Sequence, residues 1–202
     1  MFPDLMCDDV FRLETSRLWL RWPRASDAAR IAELAGQSDV AEQTASIPHP
    51  YPPGAAAEFI LDARRRNVGG RDLILVLTLK QRPNDVIGAI TVNARDAEAQ
   101  VSFWLGKPFW GQGYIGEALR ALAATTFRLT QVDRLVAQAR SGQESAARAL
   151  ASAGFVETCP CVMSAPARGG QVPGMAYVLT RAQLTRPVPG EPLLDVWKMQ
   201  TA

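Results

Sequence analysis

The chain has one histidine, three cysteines and no apolar run longer than the five residues 73–77. A membrane-spanning helix needs about 20 such residues, so no segment reads as one. Cys7, Cys159 and Cys161 form an odd set, and the Cys-x-Cys pair lacks the second ligand pair of a structural zinc site. They read as packed or idle thiols, and no metal is expected. Charge of one sign is also missing: 22 Lys and Arg against 20 Asp and Glu leave a net +2, too little for an electrostatic footprint on nucleic acid or an anionic membrane. The first residues, MFPDLMCDDVF, are acidic where a secretory signal needs positive charge, and no apolar stretch follows. A cytoplasmic protein is the expectation, monomeric or homodimeric, whose ligand is a small molecule or a peptide end.

What is present suits one core. Apolar residues make up 48% of the chain and charged ones 21%, the ordinary range of a soluble domain. A single domain over 11–184 is expected, with extensions at 1–10 and 185–202, the latter proline-rich. Alternation over 11–22 predicts a first strand ended by Pro23. Ser26 then reads as the cap of a helix ending near Gly36. Residues 39–53 contain IPHPYPP, four prolines around His49 and Tyr51, and predict an irregular surface loop. A second helix is expected over 55–68. Strands follow at 72–80, 86–93 and 98–105, the first two separated by a turn at 82–85. A long helix over 114–127, a strand at 134–140, a short helix at 144–153 and a closing pair at 159–164 and 175–180 complete the reading.

The stretch 101–119, VSFWLGKPFWGQGYIGEAL, joins a strand to a helix through Gly111, Gly113 and Gly116. Bare backbone N–H groups at a helix N-terminus favour a phosphate, so this is an anion cradle. The spacing also spells Gly-x-Gly-x-x-Gly, the dinucleotide fingerprint, but that motif needs its strand to run directly into the first glycine within a parallel sheet. Here Lys107, Pro108, Phe109 and Trp110 intervene and an antiparallel meander precedes. Nor does an acidic residue end the following strand, where Arg140 stands. A nucleotide-binding oxidoreductase is the third-ranked reading, beside a glycine-rich turn with no ligand.

WGQGYIGEAL resembles the pyrophosphate-binding motif of the GNAT superfamily of N-acetyltransferases, most closely its RimJ/RimL-like branch of ribosomal-protein N-terminal acetyltransferases. LETSRLWLRWPRASDA resembles the opening of the same branch, and SGQESAARALASAGF its second motif. The superfamily's Gln or Arg, Gly, and Gly or Ala positions are here Trp110, Gly113 and Ile115; the second motif's asparagine is Gly142, while Ser145 and Gly154-Phe155 match. The resemblance implies an α/β fold of the α+β kind, a mixed and mostly antiparallel sheet of about seven strands with about four helices. It implies acetyl-CoA as cosubstrate and a small-molecule or peptide amine as acceptor. Trp104, Leu105, Gly111, Gln112, Gly113, Ile115 and Gly116 would bind the cofactor, with a backbone N–H near Trp104 or Leu105 facing the oxyanion.

For the chemistry, the resemblance makes Ser145 the proton donor to the leaving thiolate; the local alternative is a helix cap. Relatives often carry a glutamate at Gln100, and an amide cannot take a proton at neutral pH. Glu98, two residues away on the same strand face, and His49, the one imidazole of the chain, are the remaining candidate bases. A third route uses water and an amine already partly neutral, which favours an α-amine over a lysine. The same substitutions at Gln100 and Gly142 fit a second reading, a non-catalytic acyl-CoA-binding or sensing protein.

Overall fold

The structure, a computed structural model, describes residues 11–95 and 97–184. Eight strands form one sheet in the order β1-β2-β3-β4-β5-β6-β8-β7. They are β1 (Arg12–Glu14), β2 (Leu18–Arg21), β3 (Asp72–Leu79), β4 (Arg82–Arg95), β5 (Glu98–Leu105), β6 (Arg134–Arg140), β7 (Val156–Ala165) and β8 (Gly170–Thr180). Every neighbouring pair is antiparallel except β5 and β6, which are parallel and joined through a long helix. The helices are α1 (Ala28–Ala35), α2 (Ser38–Glu42), α3 (Ala55–Val68), α4 (Tyr114–Leu129), α5 (Glu144–Ser152) and α6 (Arg181–Leu184). The α/β class and mostly antiparallel sheet are as expected, with eight strands and six helices among the described residues in place of about seven and four.

Several local expectations change. The single strand expected at 11–22 is a hairpin, because Thr15, Ser16 and Arg17 make a turn: the Thr15 N–H donates to the Leu18 carbonyl at 3.0 Å, and Leu18 N–H returns to Thr15 Oγ1 at 2.9 Å. Leucines on both sides of the turn remain buried, and Leu13 pairs with Leu20 across it. Ser26 lies inside a 3-10 turn (Ala25–Asp27) and caps nothing; Asp27 does the anchoring, buried and held by both Arg21 terminal nitrogens at 2.8 Å. Residues 39–42, expected to be irregular, belong to α2, since the prolines begin only at Pro48. The turn expected at 82–85 is tighter, at residues 80–81, and Pro83 is tolerated near the strand's start, where Pro is admitted.

The core lies between the sheet and α4. Ile115, Ala118, Leu119, Leu122 and Phe127 form the helix's inner stripe against Leu75, Ile90, Val101 and Leu135. The glycine of β4 is dictated by packing: a Cβ on Gly88 would stand 2.3 Å from the Trp104 carbonyl oxygen, so only glycine lets β5 come this close. A second cluster, Ile31, Ala56, Ile60, Val76 and Val86, sits under α1 and α3. Among the described residues no helix is long and apolar enough to cross a membrane.

Candidate active site

β5 and β6 separate partway along their length. They pair from Glu98 with Arg134 to Val101 with Ala137, and beyond that β6 keeps only β8, while β5 keeps only β4. A cavity of about 490 Å³ occupies this part of the molecule, lined by the end of β5, the glycine loop, α5 and residues of α2 and the loop after it.

The glycine loop meets the cavity as an anion cradle would. Gly111 and Gly113 have φ of +73° and +77°, a left-handed backbone that glycine adopts without steric cost. Gly113 is the N-cap of α4, whose first amides have no partner within the helix. Gly116 also lines the cavity, but its lack of a Cβ serves helix packing: a Cβ there would lie 2.2 Å from Ser152 Oγ on α5. Trp104, Leu105 and Ile115 line the cavity as well, and Trp110 Nε1 donates to the Leu105 carbonyl at 2.7 Å, tying the loop to the end of β5. Gln112 stands outside the lining. Its side chain donates to the Pro108 carbonyl at 2.9 Å, and its own carbonyl accepts from Arg17 Nη1 at 2.9 Å. Because a trans peptide points its C=O and N–H in opposite directions, that bond turns the Gly113 N–H away from Arg17.

Arg17 and Glu117 are the part of this site that spacing could not reveal, being 100 residues apart. Glu117, in the first turn of α4, is buried and accepts from Thr15 Oγ1 at 2.5 Å, Ser16 Oγ at 2.8 Å, the Arg17 N–H at 2.8 Å and Arg17 Nε at 2.7 Å. Burial alone pushes this carboxyl up; the four bonds outweigh it and hold the group below the usual carboxylate range. The Arg17 guanidinium also stacks 4.6 Å from the centre of the Tyr114 ring. The β1–β2 turn is thereby fastened beneath the glycine loop.

The candidate catalytic residues separate. Ser145 is exposed, lies on α5 one residue after its start and lines the cavity. It is not the cap, because Gln143 holds that position and its carbonyl accepts the N–H groups of Ala146 and Ala147 at 3.2 Å. Glu98 sits at the opposite end of β5, about 23 Å of extended chain from Leu105, where the strands are still paired, and it is bonded to Arg134 at 3.0 Å. Gln100 lies in the same paired portion and outside the cavity. His49 is exposed and belongs to a separate hollow of about 420 Å³ between α1, α3 and the proline loop, beside Tyr51, whose hydroxyl burial pushes up in pKa. Neither candidate base is brought to Ser145. Among the described residues Arg148 is the one charged residue in the lining, and it pairs with Glu144 at 2.9 Å.

Val40, Gln43, Thr44 and Gln143 line the cavity without having been singled out in the sequence. The short α2 that presents the first of them gave too brief a period to read. Cys159 is exposed and Cys161 half-buried, so neither is packed in the core; burial and then the neighbouring Cys159 push the Cys161 thiol up, away from its reactive thiolate. Cys7 lies outside the described residues. Among those residues no cluster of three His, Cys, Asp or Glu could hold a metal.

Residues 17–156 match the family model for an acetyltransferase (GNAT) domain. No curated protein matches the sequence. Solved structures share the fold at low identity. Mycobacterium smegmatis RimJ in complex with a CoA disulfide has a TM-score of 0.77 at 21% identity, covering 92% of this chain and 93% of that one. The microcin C7 self-immunity acetyltransferase MccE, in complex with acetyl-CoA and AMP, has a TM-score of 0.71 at 18% identity over 82% of this chain and 93% of its own. The Vibrio fischeri ribosomal-protein-alanine acetyltransferase has a TM-score of 0.71 at 18% identity, covering 87% of this chain and 100% of that one.

Proposed function

The chain belongs to the acetyltransferase (GNAT) family, and on that premise we propose that it moves an acetyl group from acetyl-CoA to a primary amine, an α-amine of a peptide N-terminus or of a small molecule. The observation that carries the reading is one cavity that holds both a glycine cradle at the start of α4 and the free edge of β5 beyond Val101. Similarity to structures that hold CoA or acetyl-CoA, such as the mycobacterial RimJ and MccE, supports the donor.

Each step then falls to groups on this chain. The cradle takes the phosphates, where unpaired amides and the helix dipole favour negative charge. The free edge of β5 offers backbone groups to the amides of the pantetheine arm. An N–H near Trp104 or Leu105 stabilises the tetrahedral oxyanion. As the amine nitrogen bonds to the acetyl carbon and the C–S bond breaks, Ser145 donates its proton to the departing sulfur and regains one, through water, from the nitrogen, which sheds its extra proton to become the amide. Among the described residues no carboxylate or imidazole lines the cavity, so on this reading the amine's proton leaves to water before attack. This supports an α-amine, whose pKa of about 8 leaves a useful neutral fraction at pH 7, over a lysine at about 10.4.

The same lack of a base supports the second reading, a protein that binds acyl-CoA without turnover. Titration with acetyl-CoA, CoA and NADPH, followed by turnover with a panel of amines, tests both. Acetylation of any α-amine is the expected result. Binding of CoA without turnover would leave the sensor, and binding of NADPH with none of CoA would end the acyl-transfer reading.

A further inference from the structure

Three segments far apart in sequence converge on one wall of the cavity. The loop after α2 carries Gln43 and Thr44 into the lining, yet residues 43–47 belong to no helix or strand. Its backbone is held from outside. Arg168, in the 3-10 turn between β7 and β8, donates from Nε to the Thr44 carbonyl at 3.3 Å and from Nη2 to the Ile47 carbonyl at 2.7 Å. The same Nη2 reaches the Ala41 carbonyl at the end of α2, and Nη1 holds the Ala167 carbonyl of its own turn at 2.8 Å. Beside it the Ala167 N–H donates to the Ala45 carbonyl at 3.1 Å. From the third segment, the Gln143 amide at the start of α5 donates to the Gln43 carbonyl at 2.9 Å.

The phosphates claim the glycine loop and the pantetheine arm claims the edge of β5. The rest of the lining comes from α5, which carries Ser145, and from the wall of Val40, Gln43 and Thr44 facing the acceptor's side of the reaction on this reading. We propose that Arg168 is a positioning residue for the acceptor: by drawing three carbonyls of the 41–47 segment onto one planar guanidinium, it fixes the wall against which the amine docks. A fork of fixed geometry can serve several carbonyls at once, and a lysine ammonium, a point charge on a flexible stem, cannot replace it. The inference rests on the acetyltransferase reading, because it assigns this wall to that reaction's acceptor.

The test compares Arg168→Ala and Arg168→Lys with the wild type, using the amine that turns over best in the panel. The expected result is a rise of at least tenfold in KM for the amine, a kcat within threefold, an acetyl-CoA dissociation constant within twofold, and faster amide hydrogen exchange at residues 43–47 in both variants. Lysine should recover little of the loss. Equal rises in the constants for amine and acetyl-CoA, or an unchanged amine KM with unchanged exchange, would overturn the proposal; so would full recovery by lysine. If the alanine variant does not fold, the lysine variant alone decides by the same readings. A wild type that binds acetyl-CoA but acetylates nothing sinks the functional reading and the acceptor role with it, a failure distinct from variants that behave like an active wild type.

Discussion

Replacing Glu117 with glutamine removes a charge and almost no volume, which makes it a clean probe of the node under the glycine loop. In the native protein Oε1 accepts three hydrogen bonds and Oε2 the fourth, from Arg17 Nε. A glutamine that keeps its oxygen toward Thr15, Ser16 and the Arg17 N–H must turn its NH₂ toward Nε–H, donor against donor. One charge-assisted bond, worth about 1.5–3 kcal/mol, is lost, and three others become neutral bonds of about half the strength. The Arg17 side chain is 47% exposed and recovers hydration, so the cost stays below the upper range for breaking a buried pair. About 2–4 kcal/mol of stability should disappear at pH 7, a fall in Tm of roughly 5–15 °C for a domain of this size. The pH dependence fixes the cause. Glu117 titrates below its ordinary value when folded, so its stabilisation is present above the unfolded pKa of about 4.3 and is lost as pH falls through the folded value. Urea unfolding of both proteins at pH 7, 5 and 3.5 should show the gap full at the first, nearly full at the second and shrinking at the third. A gap under about 1 kcal/mol at pH 7, or one that ignores pH, would refute the reasoning.

Gly113→Glu places a Cβ at φ +77°, a strain of about 1–2 kcal/mol, and a carboxylate in the cradle; calorimetry should show CoA binding at least about tenfold weaker, and unchanged affinity in a folded variant would move the phosphates elsewhere. Gly116→Ala should weaken CoA binding by displacing α5 through Ser152, and the effect should shrink in a Ser152→Ala background; two independent losses in that double-mutant cycle would mean the helices do not meet as described. Ser145→Ala should lower kcat by about a hundredfold while leaving CoA affinity and Tm alone, since Gln143 holds the cap; a lower Tm with an unchanged rate would make the serine structural. Glu98→Gln and His49→Gln should each cost less than about tenfold in kcat/KM, or 1.4 kcal/mol; a hundredfold loss with CoA affinity intact would reveal a base reached by a different conformation.

How much of this the sequence could disclose depended on the range over which each feature is encoded. Helix α3, strand β5 and strand β6 lie where the hydrophobic period and the flanking glycines put them, because those signals are local. The β1–β2 turn escaped notice for a related reason: a hairpin whose two arms face the same core continues the apolar pattern through its turn, and only Thr15 and Ser16 hint otherwise. Strand alternation placed Glu98 on a face but said nothing of where along β5 the sheet opens. That opening follows from β6 leaving β5 after Ala137 to stay with β8, a tertiary fact. Arg17 with Glu117, and Arg168 with the 41–47 carbonyls, couple positions 100 or more residues apart, beyond the reach of any periodicity.

Both of those arginines act on backbone carbonyls, and this bears on how a cavity with no carboxylate among the described residues of its lining would work. A site that binds an ammonium electrostatically must then strip its proton; here no carboxylate stands among the described residues of the lining, and the Arg148 cation is paired with Glu144 just outside it. At pH 7 roughly a tenth of an amine of pKa 8 is neutral, against about one part in 2,500 at pKa 10.4. That ratio, about 250-fold, already discriminates between α-amines and lysines before any contact is made, though the greater intrinsic nucleophilicity of the more basic amine reduces it. On the proposed route the protein's contribution at the amine is alignment, and the proton it transfers goes from Ser145 to the departing sulfur. Alignment rests on fixity, and in the structure the Gln112 carbonyl of the glycine loop is held by Arg17, and the Ala41, Thr44 and Ile47 carbonyls of the proposed acceptor wall by Arg168, each guanidinium reaching in from a distant turn.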